Sequence, residues 1–371
     1  MSNSKYKDFW SKMKLYYPIS KGEIKLPIAN KLMSNEYIIS DLLIKNCKYI
    51  LEEIMKIDKS KKIKFMNQNN EGVIQNLFQN NYTGVVRFDC MLDQNNNIKI
   101  IELNSDYPDG LLMHDNTYSV LLNEEKNLHK NNFLKFFDKN EKIFILYPEG
   151  VFFKDAYYTE YFFLKENGFN VNIGTFSELD FNDDGIYYKG IKIDKIRRCL
   201  ETSKLSIKNW EKFYKYKIDF INTFDMWTLG YKELLSEIKH SYILEKLDVN
   251  EENKNKIIKN KDFYVIKASN GIEGGNIYIG KDIKQSDWQK IIETNLNTNF
   301  IAQEFVEAQK NKINFFQEDK IISKEVYFDV CPHFFIKNGD IISEGLILTR
   351  FSESKILNVA KGGGIGYLKT I

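Results

Sequence analysis

Val85-Val-Arg-Phe-Asp-Cys-Met-Leu92 and, beyond Asp93-Gln-Asn-Asn-Asn97, Ile98-Lys-Ile-Ile-Glu-Leu-Asn104 form the stretch on which the fold turns. Both runs are rich in β-branched and aromatic residues, and the Asn-rich link between them is a hairpin signal. Pairing Asp93 with Ile98 across a four-residue loop sets Asp89 opposite Glu102 and Arg87 opposite Asn104, all on one face. The other face pairs Phe88 with Leu103 and Cys90 with Ile101, an apolar set fit for a core. Two carboxylates facing each other repel by roughly 3 kcal/mol at about 5 Å and an effective dielectric near 20. A hard cation held by Asp89, Glu102 and the Asn104 amide oxygen offsets that, and an all-oxygen set suits magnesium. A solvent-facing hairpin with screened charges is the plainer alternative. Relief of the repulsion predicts that Asp89→Asn or Glu102→Gln leaves the metal-free fold intact or slightly more stable.

Around this hairpin lies a chain of 371 residues, room for two to three structural units. Hydrophobic residues make up 43% and charged residues 28%, which disfavours disorder. Lysine and arginine total 53 against 51 acidic residues, so the basic excess of a nucleic-acid binder is missing. Cys47, Cys90, Cys199 and Cys331 are too dispersed for a disulfide framework or a thiolate zinc site. The polar start and the lack of a long apolar run predict a cytoplasmic protein without membrane contact.

The segment up to Asn81 reads as mainly helical, led by the apolar stripe of Asn35 to Met55. Lys142 to Tyr147, Asp155 to Asn167 and Phe169 to Ile173 read as strand, helix and strand, followed by a small hairpin over Gly185 to Asp194. Trp227 to Leu247 reads as helix, Phe263 to Lys267 and Asn276 to Gly280 as strands flanking a Gly-rich loop, and Phe300 to Val306 as a further strand. A long hairpin pairs Lys324–Val330 with Ile341–Thr349 through a Gly339-Asp340 turn. The fold class is α+β with an α/β part, divided as 1–137 with the hairpin, 138–215 as the α/β unit, and 216–371.

The remaining candidates concern phosphate. Lys267-Ala-Ser269-Asn270-Gly271-Ile-Glu-Gly274-Gly275 joins strand to strand, which excludes the Walker and dinucleotide fingerprints. It is either a flap donating backbone N–H groups to a triphosphate or an ordinary hairpin loop. Lys232 is a phosphate ligand or a solvated helix lysine, and Gln303, Glu304 and Val306 line a nucleotide cleft or a half-buried strand. Arg350 is suited to bidentate contact with a phosphoryl group. Asp106, in the Ser105-Asp-Tyr-Pro-Asp-Gly110 turn, would touch a substrate amine or cap the turn.

Arg87-Phe-Asp89 and Glu102-Leu-Asn104-Ser-Asp106-Tyr-Pro108, followed by Trp227 with Lys232, Lys267 before its Gly-rich loop, and Gln303-Glu304, together resemble the circularly permuted ATP-grasp ligases of the glutathionylspermidine synthase family. The resemblance implies two α+β lobes clasping ATP beside a small Rossmann-like domain. It implies that Asp89, Glu102 and Asn104 hold two magnesium ions, that Lys232, Lys267 and the loop bind ATP, and that Arg87, with Arg350, stabilises the transferring phosphoryl group. The activity implied is amide formation between a small-molecule or peptide carboxylate and an amine, through an acyl phosphate. A small-molecule kinase or a non-catalytic nucleotide-binding module on the same fold are the alternatives. The loop Ala268-Ser-Asn-Gly-Ile-Glu-Gly-Gly275 departs from the family by lacking its Pro and Arg, and the length holds no amidase domain.

Overall fold

The computed structural model describes residues 31–371 except 35–36, 69–77, 79–80, 109, 123, 152–153, 217, 270–276, 318–319, 356 and 358–361. Among the described residues four sheets carry the architecture. The largest has eight strands, running from Lys310–Gln317 through Lys31–Met33, Gly364–Thr370, Asp340–Ser352, Lys320–Lys337 and Gly84–Leu92 to Ile98–Asn104, with Tyr37–Ile39 beside Gly364–Thr370. The 18-residue strand Lys320–Lys337 also pairs through its first half with Lys310–Gln317, so the sheet curls back on itself. Among the described residues up to Asn81, helices over Leu42–Lys56 and Lys59–Gln68 make the segment mainly helical as expected, and two short strands precede them. Lys31–Met33 and Tyr37–Ile39 are strands, because their partners lie some 300 residues downstream where no local periodicity reports them. The stripe itself is a helix over Leu42–Lys56, and it seats Leu43, Cys47, Ile50, Leu51 and Ile54 in the main core.

The expected α/β unit is a four-stranded, all-parallel sheet in the order Asp219–Ile221, Lys195–Arg198, Lys142–Leu146, Asn170–Gly174. Lys142–Leu146 is apolar and buried in its last four residues, as a strand covered on both faces must be. A three-stranded ribbon with Gly185–Tyr188 at its centre lies beside it. The fourth sheet is antiparallel, with Lys246–Asp248, Phe300–Glu304, Tyr264–Ala268 and Tyr278–Ile279 in that order. Its first strand lies within the stretch expected to be one helix up to Leu247. Phe224–Thr228 and Lys232–Ser236 are the only helical turns of that stretch, since the chain breaks at Gly230. There a Cβ would meet Ser105 Oγ at 3.1 Å and the Leu103 carbonyl at 3.3 Å.

Two turns differ in detail from their reading. The long hairpin turns at Asn338-Gly339, with φ of 53° and 86°, and Lys337 pairs with Asp340. Both central residues of such a turn need positive φ, which Asn and Gly supply and Asp340 does not. In the carboxylate hairpin Arg87 faces Asn104, Phe88 faces Leu103 and Asp89 faces Glu102 as expected, but Cys90 pairs with Ile100 and Leu92 with Ile98. Ile101 is the extra residue of a bulge. No helix among the described residues is long and apolar enough to cross a membrane.

Candidate functional site

The bulge decides how the site is assembled. By stepping out of the ladder, Ile101 turns its carbonyl toward the antiparallel sheet, where it accepts from Gln303 Nε2 at 3.1 Å and Lys267 Nζ at 3.5 Å. Strand alternation puts both donors on one face: Val265 pairs with Gln303 and Lys267 with Ile301, two residues along. The hairpin carboxylates thereby meet two lysines from another part of the chain. Lys232 Nζ lies 3.4 Å from Glu102 Oε2 and donates to the Ser269 carbonyl at 2.9 Å.

Asp89 is the best-compensated charge. Arg87 Nε donates to its Oδ1 at 2.7 Å, and Arg350 Nη2 to its Oδ2 at 2.7 Å. Arg350 is held in turn by Asp329, through Nε to Oδ2 and through its backbone N–H to Oδ1, both at 2.6 Å. Burial alone would raise the Asp89 carboxyl, but the Arg350 and Arg87 guanidiniums outweigh it and keep it well below the usual carboxylate range. Glu102 follows the same pattern: burial raises it, Lys232 and Lys267 lower it further, and the net shift is down. Burial, with Lys232 nearby, pushes the Lys267 ammonium down to about 8. The like-charge pair read from the sequence is thus offset by four cationic side chains of the protein itself.

Among the described residues, no three His, Cys, Asp or Glu side chains come together to hold a metal ion. Two carboxylates and an amide oxygen are nevertheless the right donor chemistry for magnesium, while Asn104 Nδ2, buried without a hydrogen-bond partner, offers its N–H to an acceptor and not to a cation. Glu102 and Asn104 are the freer two. Asp89 joins a cation only by releasing a guanidinium.

The sequence matches no protein-family model and no curated protein. Its backbone superposes along its whole length on a glutathione synthetase-like effector from Globodera pallida, solved in its apo form. The match covers 100% of this chain and 98% of that one, with a TM-score of 0.58 and 9% identity. The fold is similar to a glutathione synthetase-like one. A protein solved as "Putative gamma-glutamylcysteine synthetase" from Methylobacillus flagellatus KT aligns over 80% of this chain and 83% of its own at 11% identity, with a TM-score of 0.46, at which likeness carries no weight.

Within this glutathione synthetase-like fold the other expected residues are distributed as follows. Ser269 is buried, and its hydroxyl donates to Glu233 Oε1. Asn270, Gly271, Gly274 and Gly275 lie outside the described residues. Glu304 ends its strand by accepting from the Glu245 backbone N–H at 3.2 Å, and Val306 follows two residues later, half-buried. Asp106 has a structural occupation: its carboxylate pairs with the buried Arg198 and accepts from Thr202 N–H at 2.6 Å and Thr202 Oγ1 at 2.9 Å. Both oxygens are engaged there and hold the turn after Asn104.

Three contributors were missed. Asp329 lies in Val326-Tyr-Phe-Asp-Val330, and a carboxylate on a strand with Phe328 and Val330 buried on either side was the available signal. Lys246 donates to the Lys232 carbonyl at 2.5 Å; burial first, then Lys267 and Lys232, push its ammonium well down. Asn222, wholly buried at φ 58°, donates to the carbonyls of Val85, Ser105 and Asp106 and accepts from Val85 N–H and Arg197 Nη1. It stitches the parallel sheet to both ends of the catalytic-looking hairpin, and nothing local announces it.

Proposed function

We propose that the protein is an ATP-dependent carboxylate–amine ligase that forms an amide through an acyl phosphate and releases ADP and phosphate. The observation that carries this reading is the meeting of Arg87, Asp89, Glu102 and Asn104 from the hairpin with Lys232, Lys267 and Gln303 from the opposed sheet and Arg350 from the long hairpin. Phosphoryl transfer depends chiefly on positioning and charge neutralisation, and this set supplies both. Lys232 and Lys267, with Lys246 behind them, receive the nucleotide phosphates; Gln303, Glu304 and Val306 line the base and ribose side. Arg87 and Arg350 face the transferring phosphoryl group, and the substrate carboxylate attacks phosphorus there. The amine then attacks the acyl carbon and expels phosphate. Glu102, Asn104 and Asp89 would hold magnesium, which when bound neutralises phosphate charge. The loop with Ser269, Asn270, Gly271, Gly274 and Gly275 would close over the phosphates through its N–H groups. The likeness in fold to a glutathione synthetase-like protein supports this class of reaction, with small-molecule or peptide substrates.

The test is thermal unfolding with ATP or a non-hydrolysable analogue, with and without magnesium, followed by ADP release against panels of acids and amines. Nucleotide at a hundredfold over its dissociation constant adds about 2.7 kcal/mol, roughly 3–4 °C for a chain of 371 residues. ADP release that requires both acid and amine supports the ligase; release with one substrate and no amine points to the kinase. No magnesium-dependent shift at saturating nucleotide refutes the reading.

A further inference from the structure

Arg350 is shared between two carboxylates of opposite character. Asp329 is 2% exposed and touches Arg350 at three points: Oδ1 takes the backbone N–H at 2.6 Å, while Oδ2 lies 2.6 Å from both Nε and Nη2. The Thr349 hydroxyl donates to the Asp329 carbonyl at 2.6 Å and fixes the pair of strands at the same place. Asp89 has a single contact, on Nη2 at 2.7 Å, and already has Arg87 as a partner. One carboxylate is therefore a three-point clamp, and the other, equally buried, meets Arg350 at one point only. Nη2 is also the nitrogen of Arg350 that reaches the hairpin carboxylates.

We infer that Asp329 is the positioning residue of Arg350, and that the Asp89 carboxylate occupies the place on Nη2 that an oxygen of the transferring phosphoryl group takes during transfer. The inference rests on the ligase reading for its second half only. A guanidinium in a buried site needs a permanent counter-ion, since removing one partner of a buried pair leaves the other uncompensated. Asp329 is that counter-ion. With it in place, Asp89 releases Nη2 without stranding the charge, and Arg350 presents one N–H edge to an arriving oxyanion at constant orientation. Lacking Asp329, Arg350 would rest wholly on Asp89 and hold the same carboxylate that is needed elsewhere. Asp329→Asn removes the charge while keeping an oxygen that accepts the Arg350 backbone N–H, so it separates the electrostatic role from the fold.

Two measurements test this, one without nucleotide. In nucleotide-free protein Asp329→Asn lowers the thermal midpoint by several degrees in the wild-type background. In an Arg350→Met background the same change leaves the midpoint unchanged or raises it, because the carboxylate it removes has lost its partner. An equal drop in both backgrounds overturns the inference, whatever the reaction. In the second measurement Asp329→Asn releases ADP at least tenfold more slowly, while the nucleotide dissociation constant from magnesium-dependent thermal shifts stays within about twofold. Parallel weakening of binding and turnover means that Asp329 merely supports the fold and sinks the proposal. Should Asp329→Asn not be recovered as folded protein, Arg350→Lys replaces it: an ammonium keeps the charge but loses the fork whose Nε meets Asp329 while Nη2 faces Asp89, so binding persists and turnover falls tenfold. Full turnover in that variant overturns the proposal. Absence of any nucleotide effect in the wild type refutes the ligase reading alone, and the first measurement still decides on Asp329.

Discussion

Asp89→Asn separates two electrostatic accounts of the hairpin. From strand pairing alone, removing the charge relieves about 3 kcal/mol of repulsion against Glu102 and leaves the protein as stable or more so. The structure reverses that sign. Arg87 and Arg350 each donate to Asp89 at 2.7 Å, and charge centres about 4 Å apart at an effective dielectric near 20 attract by about 4 kcal/mol each. Losing about 8 and regaining about 3 leaves a deficit near 5 kcal/mol. The cost seen when one partner of a buried pair is removed, about 3–5 kcal/mol, is of the same size. Arg350 keeps Asp329, whereas Arg87 makes no other ion pair among the described residues, so most of the cost falls on Arg87. At roughly 2.1 cal/mol/K per residue over 371 residues, 4 kcal/mol lowers the thermal midpoint by about 5 °C. Glu102→Gln is the control: it relieves the same repulsion and gives up a lysine at 3.4 Å on a side chain 30% exposed, worth about 1 kcal/mol or less, so its midpoint stays level or rises. Calorimetry of both variants without nucleotide or magnesium gives the answer. An Asp89→Asn midpoint equal to or above that of the wild type would refute the ion-pair account and restore the simple repulsion argument.

Nucleotide affinity should fall as pH rises through about 8, where Lys267 loses its proton, and binding at pH 8.5 should take up protons, which calorimetry in two buffers of different ionisation enthalpy detects. Lys267→Arg should carry tight binding to higher pH. His114, His129 and His333 pack with ring centroids 5.0–6.2 Å apart, and burial lowers all three, His114 to about 3. Neutral in the folded protein and titrating near 6.5 when unfolded, they contribute stability that is complete above pH 6.5 and is lost as the pH falls. His114 alone accounts for a loss of about 2 kcal/mol by pH 5, and His129 and His333 add to it in the same direction. A thermal midpoint that stays flat over that range contradicts the neutral cluster. Asn222→Gly keeps the left-handed backbone but removes five side-chain hydrogen bonds, and should cost about 3–5 kcal/mol in urea unfolding.

The hairpin was legible because alternation and an Asn-rich turn constrain it locally, down to the facing of Asp89 and Glu102. Its bulge was not, because the donors to the Ile101 carbonyl come from Lys267 and Gln303, more than 160 residues away. The parallel sheet was legible for the same local reason: Lys142–Leu146, a helix and Asn170–Gly174 follow in order. Trp227 to Leu247 misled, since its apolar residues serve two short helices on the main core and a strand edge whose Leu247 packs on the core of the antiparallel sheet. Lysines and arginines could be named from motif, but the sequence is silent on which carboxylate each one faces. Asp329 stood out only as a carboxylate in an apolar strand, with nothing to name Arg350 as its partner, and Asn222 was invisible because its partners at Val85, Ser105 and Asp106 lie more than 110 residues away. Asp106 shows the converse, a motif residue whose partner, Arg198, lies in another sheet.

The ion pair of Asp89 with Arg350 closes over 261 residues of chain. During synthesis at roughly 5–20 residues per second, Asp89 is added to the chain about 13–50 s before Arg350. Lys232 and Lys267 are added a little past the middle of that interval and the neighbouring strand Lys320–Lys337 just before its end, so for about the first half of it Asp89 and Glu102 have Arg87 alone as counter-charge. The same charges that assemble the finished site thus keep the nascent hairpin hydrated and separate, and the last strands to be made are the ones that permit it to be buried.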